Sequence, residues 1–85
     1  MNEHYCRVCG LYSIDKPWGE DGNSPNYEIC PCCGVEFGNE DYTMESTIEY
    51  RKQWLANGAK WFTFKEKPEN WNLKKQLQNI PHEYK

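Results

Sequence analysis

Four of the five cysteines stand in two pairs, and this spacing constrains the fold more than any other feature of the chain. Cys6 and Cys9 form one Cys-x2-Cys pair and Cys30 and Cys33 form the other, with twenty residues between the pairs. Two sulfurs three positions apart can face one cation where the chain turns sharply, and two such turns supply four thiolates for a tetrahedral site. The spacing therefore predicts that these four cysteines bind one metal ion.

A glycine follows each cysteine pair directly, as Gly10 and Gly34. A turn that bends back to point its N–H groups at sulfur often requires a positive φ at this position, which glycine adopts without strain. Pro31 fixes φ at the first bend of the second turn. Both turns are thus expected to support their thiolates with backbone hydrogen bonds.

Three alternatives remain open beside this site. A disulfide framework is disfavoured because the cysteine count is odd and no secretory signal is evident. Cys32 can replace Cys33 as a ligand, but a Cys-x-Cys pair lacks the matching glycine. We therefore expect Cys32 at the outer edge of the second turn, with a pKa lowered by the nearby cation. His4, two residues before Cys6, can in principle be a ligand, but four better-spaced cysteines make it unnecessary. We therefore expect solvent or packing roles for His4 and His82.

The composition explains why a metal is needed. A chain of 85 residues is expected to form one domain, near the lower size at which a hydrophobic core alone suffices. It has ten Val, Ile and Leu residues against 13 aromatic residues. The longest apolar run, residues 54–56, has three members, which predicts no membrane span or secretory signal and hence a cytoplasmic protein.

Charge divides the predicted domain, residues 1–85, into two halves. Residues 1–41 carry a net charge of −6 and contain all five cysteines, whereas residues 42–85 carry +3. We expect the second half to be helical and to pack on the metal-binding first half. In the first half, residues 16–26 are rich in Gly, Pro, Asn and Asp and predict a loop. Residues 27–29 predict a strand, paired in a small antiparallel sheet with residues 4–5 or 11–14.

Two helices are predicted after Asp41. Met44, Ile48, Arg51 and Leu55 fall on one line and predict an amphipathic helix over about residues 43–57. Ser46 and Glu49 are a candidate capping box, and Asn57-Gly58 a stop. Pro68 is a favoured first position for a second helix that reaches about Asn79, with Leu73, Leu77 and Ile80 as its apolar stripe. Pro81 ends it.

The second cysteine turn resembles a known bacterial family. Residues 27–41, which read YEICPCCGVEFGNED, are similar to the second knuckle of the cysteine-rich CPCC domain family. This resemblance implies a small cytosolic metal-binding module of unassigned biochemistry, often encoded beside toxin and immunity genes. The first turn departs from the Cys-Pro start of that family, and residues 58–85 lie outside the resemblance.

Both turns also resemble those of rubredoxin. Tyr5 to Gly10 and Cys30 to Gly34 match its knuckles, Tyr-x-Cys-x-x-Cys-Gly and Cys-Pro-x-Cys-Gly. That resemblance implies iron and one-electron transfer, although the spacer is shorter and a largely helical segment follows. The resemblances imply zinc-ribbon or rubredoxin-like knuckles. With the strands and helices predicted above, the expected fold is a small α+β metal-bound domain with a short antiparallel sheet, followed by two helices.

These observations favour recognition over catalysis. Four protein sulfurs close the coordination sphere, which is typical of structural zinc. We therefore predict a zinc-binding adaptor or immunity-type protein with a protein partner. Most of the tryptophans are expected in the core, with Trp18 in the acidic loop as the exposed anchor for a basic partner. No phosphate loop, nucleophile elbow or His-Glu metal helix indicates an enzyme.

Two other functions are alternatives. A rubredoxin-like iron site would carry electrons, since four thiolates accept iron as well as zinc. A nucleic-acid-binding zinc ribbon is suggested by five lysines among aromatic residues in the second half, Lys60, Lys65, Lys67, Lys74 and Lys75. The sequence pI of about 5.3 opposes nucleic acid, because affinity for phosphate depends on positive charge.

Overall fold

The first half of the protein contains two tight turns joined by a long loop, and the second half contains the helices. The computed structural model describes residues 3–85, so the first two residues of the predicted metal-binding half lie outside the described residues. Helix α1 spans Met44–Ala56 and helix α2 spans Leu73–Leu77. Two short 3-10 helices, Phe64–Glu66 and His82–Tyr84, follow α1 and α2 respectively.

The predicted antiparallel sheet is wrong. Over residues 3–85 the structure has no strand, and pairing is limited to two isolated antiparallel bridges, Tyr5 with Tyr12 and Ile29 with Glu36. Each bridge closes its own cysteine turn instead of joining residues 27–29 to the first turn. Tyr27 has a φ of +60°, which interrupts the extended backbone that a strand requires. The domain is therefore two turns and two helices, without a β layer in the described chain.

Helix α1 has nearly the predicted bounds but a different cap. Thr43 is the N-cap, and its hydroxyl accepts a hydrogen bond from the Ser46 N–H at 3.0 Å. The Ser46 hydroxyl in turn accepts from the Thr43 N–H at 3.3 Å. The capping box therefore begins three residues before the predicted pair of Ser46 and Glu49. Asn57 is the C-cap and Gly58 has a φ of +95°, in agreement with the predicted stop.

The buried face of α1 is also different from the predicted stripe. Met44 and Leu55 are exposed at 54% and 38%, whereas Thr47 and Trp54 are buried. The stripe prediction assumed an apolar surface beneath the helix. The first cysteine turn instead presents backbone carbonyls there, which Arg51 contacts with its guanidinium.

Helix α2 is shorter than predicted. Asn72 is its N-cap and accepts a hydrogen bond from the Lys75 N–H at 3.0 Å, so the helix begins after Pro68 rather than at it. The predicted stripe does face inward: Leu73 and Leu77 pack against the core, and Ile80 is buried. No helix among the described residues has the length and apolar character needed to cross a bilayer.

Trp18 is buried, so the prediction of an exposed anchor is wrong. Its indole N–H donates to the Asp41 carboxylate at 2.9 Å, and the Arg7 guanidinium lies 4.0 Å from its ring centre. The same guanidinium also lies 4.5 Å from the centre of the Tyr84 ring. Cation–π attraction to these rings lets the acidic loop fold over its own tryptophan. The other tryptophans, Trp54, Trp61 and Trp71, are buried or half-buried as predicted.

A substitution at Asp41 tests how much this buried polar cluster contributes to the unfolding free energy. Its two oxygens accept from the Trp18 indole and the Gly38 N–H, the latter at 2.7 Å. Burial raises the pKa of the Asp41 carboxyl, and these two hydrogen bonds oppose the rise. Asp41→Asn offers one acceptor to two donors, so we expect a loss of about 1 to 3 kcal/mol in unfolding free energy. Urea unfolding of the metal-loaded protein measures it, with the exposed Asp15→Asn as the matched control; equal stability of both variants would contradict the role.

Candidate metal centre

The two cysteine turns have the same backbone. In the first, the Gly10 N–H donates to the Cys6 carbonyl at 2.9 Å, and in the second the Gly34 N–H donates to the Cys30 carbonyl at 2.9 Å. Gly10 and Gly34 have φ values of +83° and +82°. The left-handed conformation predicted from the sequence is therefore present at both glycines. Each residue of the first turn has a counterpart 24 positions later in the chain.

Both glycines also admit the second half of the chain. A Cβ at Gly10 would lie 2.2 Å from the Gln76 carbonyl oxygen of α2. A Cβ at Gly34 would lie 3.1 Å from the ring of Phe62. The absent side chains thus let α2 and the segment after α1 approach the turns directly.

The turns bring four sulfurs together. The Sγ atoms of Cys6 and Cys33 are 3.7 Å apart, as are those of Cys9 and Cys30. All four lie within 4.8 Å of one another. A tetrahedral ion with bonds of about 2.3 Å to sulfur requires sulfur separations of about 3.8 Å. This four-cysteine site has the ligand number, chemistry and spacing to hold one metal ion.

Burial sets the electrostatics of the four-cysteine site. All four residues are buried, and burial raises the pKa of the Cys9 and Cys33 thiols. Hydrogen bonds from the Cys33, Cys6 and Cys9 thiols lower the pKa of Cys30. Four adjacent buried thiolates require a cation, because uncompensated buried charge is costly.

Cys32 is close to the site but outside the set of converging sulfurs. It is fully buried, so its expected place at the outer edge of the turn is wrong. Its counterpart in the first turn is Val8, which is equally buried. A hydrogen bond with Cys9 lowers the pKa of Cys32, and the Gln76 side-chain amide donates to its sulfur at 3.4 Å. Cys32 thus fills a core position that valine fills in the first turn.

Neither histidine is among the converging ligands. The Nδ1 atom of His4 lies 2.9 Å from the Ser13 carbonyl oxygen, and its ring stacks on Tyr12 with centroids 5.2 Å apart. These contacts agree with the packing role predicted for His4. His82 is exposed in the last 3-10 helix.

The carbonyls inside the turns are held by groups that sequence reasoning did not assign. In the first turn, Arg51 donates from Nε to the Val8 carbonyl at 2.6 Å and from Nη2 to the Arg7 carbonyl at 2.8 Å. Arg51 Nη2 also donates to the carbonyl of Tyr84, near the end of the chain. One side chain therefore ties α1 to the first turn and to the C-terminal segment. Its charge within an otherwise apolar stripe was the sequence signal for this role.

The second turn is held at the equivalent carbonyls by the backbone. The Phe62 N–H donates to the Cys32 carbonyl at 3.0 Å, and the Thr63 N–H donates to the Pro31 carbonyl at 2.8 Å. Pro31 and Cys32 are the counterparts of Arg7 and Val8 in the first turn. The Arg51 guanidinium thus replaces two consecutive backbone donors.

The last cysteine carbonyl of each turn is bound by a side chain. The Gln76 amide donates to the Cys9 carbonyl at 3.1 Å, and the Tyr50 hydroxyl donates to the Cys33 carbonyl at 3.3 Å. The Trp71 indole N–H donates to the other end of the Gln76 amide at 2.7 Å. Residues of the second half therefore satisfy the carbonyls of both turns and hold the cysteines in place.

One side of the four-cysteine site lies close to solvent. Cys33 is 6% exposed, compared with 1% or less for the other three cysteines of the site. It lies in the wall of a surface cavity of about 470 Å³. The other residues of this wall are Tyr50, Gln53, Trp54, Asn57 and Lys60. Of the four cysteines, Cys33 is therefore the most accessible from solvent.

Sequence comparison finds relatives in Bacillus subtilis (strain 168). The chain is 35% identical over 71 residues to uncharacterized protein YozI. This alignment covers 65% of the chain and 59% of YozI. It is 34% identical over 68 residues to uncharacterized protein YoaQ, covering 62% of this chain and 58% of that protein. The chain thus spans less than two thirds of either relative. No family model matches it, and no solved structure matches it.

We predict that Arg51 is the strongest single contact between the two halves. Arg51→Ala removes a charged donor from three backbone carbonyls and should lower the unfolding free energy by about 3 kcal/mol. Arg51→Lys should recover only part of this, because an ammonium lacks the planar fork. Denaturant unfolding of the metal-loaded protein measures the loss. Lys52→Ala, on the exposed side of the same helix, is the control; if it cost as much as Arg51→Ala, the assignment would be refuted.

We predict that Cys32 is dispensable for metal binding, whereas its neighbour Cys33 is required. Cys32→Val copies Val8 of the first turn and should retain one metal ion per chain. Cys33→Val removes a ligand and should abolish stoichiometric binding, because three sulfurs leave the coordination sphere incomplete. Elemental analysis of the two purified variants, dialysed side by side, gives the comparison. Equal metal loss in both would return Cys32 to the list of ligands.

Proposed function

We propose that this protein is a zinc-stabilised protein-interaction module whose metal is structural. The observation that carries the proposal is the convergence of four buried sulfurs within 4.8 Å of one another. Four protein ligands fill a tetrahedral sphere and leave no position for water or substrate. A metal held in this way supports the fold and does no chemistry on a bound molecule.

The architecture gives such a metal a clear purpose. Between residues 3 and 41 the chain has no helix, and each of its two isolated bridges lies within one turn, so no regular secondary structure joins the first turn to the second. Structural zinc in small modules contributes on the order of 10 kcal/mol at neutral pH. This contribution is comparable to the whole net unfolding free energy expected for a domain of this size. The ion would thus cross-link the half of the protein that has the least regular structure.

Zinc is the metal that we favour. Its tetrahedral four-thiolate sites are typically structural, and the closed sphere matches that use. We also propose membership in the CPCC domain family, from the resemblance of residues 27–41, and an immunity-type role as the setting in which a partner would be bound. Reduced thiols suit a reducing compartment, so we propose a cytoplasmic location.

Iron-based electron transfer is the second candidate. It is favoured by the position of Cys33, the least buried ligand, in the wall of a surface cavity. Four thiolates bind iron as readily in geometric terms, and a ligand near the surface shortens the path of an electron. The two candidates differ in the metal and in whether the protein has a reversible redox couple.

Metal content decides between these candidates. We expect untagged protein from cells supplied with both metals to be colourless and to hold one zinc per chain. Removal of the ion with a chelator should unfold it cooperatively, as followed by tryptophan fluorescence, and added zinc should restore the fold. Acidification should also release the ion, because protons compete with it for the thiolates. Red protein with one iron and a reversible one-electron couple would instead establish the second candidate.

The control for this experiment is Cys32→Val, which keeps all four converging sulfurs. It should follow the unmodified protein in metal content and in unfolding on chelation. A protein that stayed folded after complete metal removal would contradict the structural role of the ion, whatever the metal.

A further inference from the structure

An open groove lies between the first half and the segment that follows α1, and no residue of α1 is among its lining. It has a volume of about 520 Å³ and lies between residues 11–15, residues 26–31 and residues 61–68. The indole of Trp61 contributes to its lining, and so does Cys30 of the four-cysteine site. We call it the acidic groove.

The acidic groove exposes apolar side chains in a protein that has few aliphatic residues. Ile14 is 83% exposed, Tyr12 56% and Ile29 49%. The sequence has only four isoleucines, and two of them line this groove. Single exposed apolar residues are ordinary, but several that converge on one concave surface mark a site of interaction. The groove therefore has the apolar contacts that a bound segment would use.

The charge of the acidic groove has one sign. Three of its lining residues are carboxylates, Asp15, Glu28 and Glu66, and the lining that the structure describes includes no Lys, Arg or His. Four thiolates around a divalent ion would add a net charge of about −2 beside Cys30. A ligand that enters this groove therefore meets negative charge on several sides.

We propose that the acidic groove binds an extended segment of another protein in which Lys or Arg alternates with apolar residues. Such a segment would place its apolar side chains against Ile14, Ile29 and Tyr12. Its cations would face the three carboxylates at the rim, where complementary charge speeds association and excludes acidic competitors. Phosphate-bearing ligands are excluded by the same charge. This inference deepens the interaction function proposed above and names the chemistry of its partner.

The test uses the zinc-loaded full chain and a defined probe. The probe is a fluorescent ten-residue peptide in which Lys alternates with Val and Ile; the comparison peptide has Glu at every Lys position. Fluorescence anisotropy should show saturable binding of the basic peptide, weakening as salt is added. Backbone amide shifts in NMR should change at residues 11–15 and 26–31. Equal binding of the acidic peptide, or shifts confined to other surfaces, would overturn the proposal.

Matched variants separate the groove from general electrostatic attraction. Ile14→Ser with Ile29→Ser should weaken peptide binding by about tenfold or more. Asp15→Asn with Glu28→Gln should weaken it and flatten the dependence on salt. The controls are Met44→Ser with Leu55→Ser, which removes exposed apolar residues of α1, and Glu45→Gln with Glu49→Gln, which removes two acids of the same helix. Equal losses in variants and controls would refute the groove.

Further readings distinguish the possible failures. Each variant is checked for one zinc per chain and for an unchanged circular dichroism spectrum, so lost binding is not mistaken for lost folding. Light scattering measures self-association. If the protein were a dimer and the groove substitutions made it monomeric, the groove would bind a second copy of this chain, and the proposal would be overturned. If the folded, zinc-loaded protein did not bind the basic peptide, the groove proposal would be refuted and the structural role of zinc would stand. Iron with a redox couple would refute the proposed structural function, whatever the peptide does.

Discussion

The close approach of two backbone turns that each present two sulfurs is the constraint from which the rest of the structure follows. Sulfurs 3.7 Å apart across the two turns can be held so only if the turns face each other at a fixed distance. A metal ion would stabilise the turns at that distance, because the cation compensates the negative charge of four buried thiolates. The loop between the turns then folds under this restraint, over Trp18 and Asp41.

The second half of the chain completes the turns and does more than cover them. A tight turn leaves several carbonyls without partners, and buried carbonyls require donors. Arg51 supplies them for the first turn, and the backbone at residues 62 and 63 supplies them for the second. The same need has thus been met once by a side chain and once by the main chain. This explains why α1 carries the charged residue Arg51 on the side that packs against the first turn.

The local features of the sequence predicted much of the site and of the helices. Cysteine spacing and the two glycines predicted the turns, because both act within five residues of chain. The bounds of α1 and the inward stripe of α2 also depend on local periodicity. The sheet was a wrong prediction, since Tyr27 adopts a left-handed conformation that no propensity scale indicates. The exposed Trp18 was wrong because Arg7 and Asp41, distant in sequence, satisfy its ring and its N–H.

The sequence by itself determined that two cysteine turns can meet around one ion and favoured Cys33 over Cys32, because each turn is short and a glycine follows each Cys-x2-Cys pair. The tertiary structure alone decided what surrounds them: Cys32 became a core residue like Val8, and Arg51 became a donor to carbonyls more than forty residues away. It also left Ile14 and Ile29 exposed in an acidic groove. Burial and hydrogen-bond partners depend on which segments distant in sequence come into contact, and local sequence patterns do not specify those contacts.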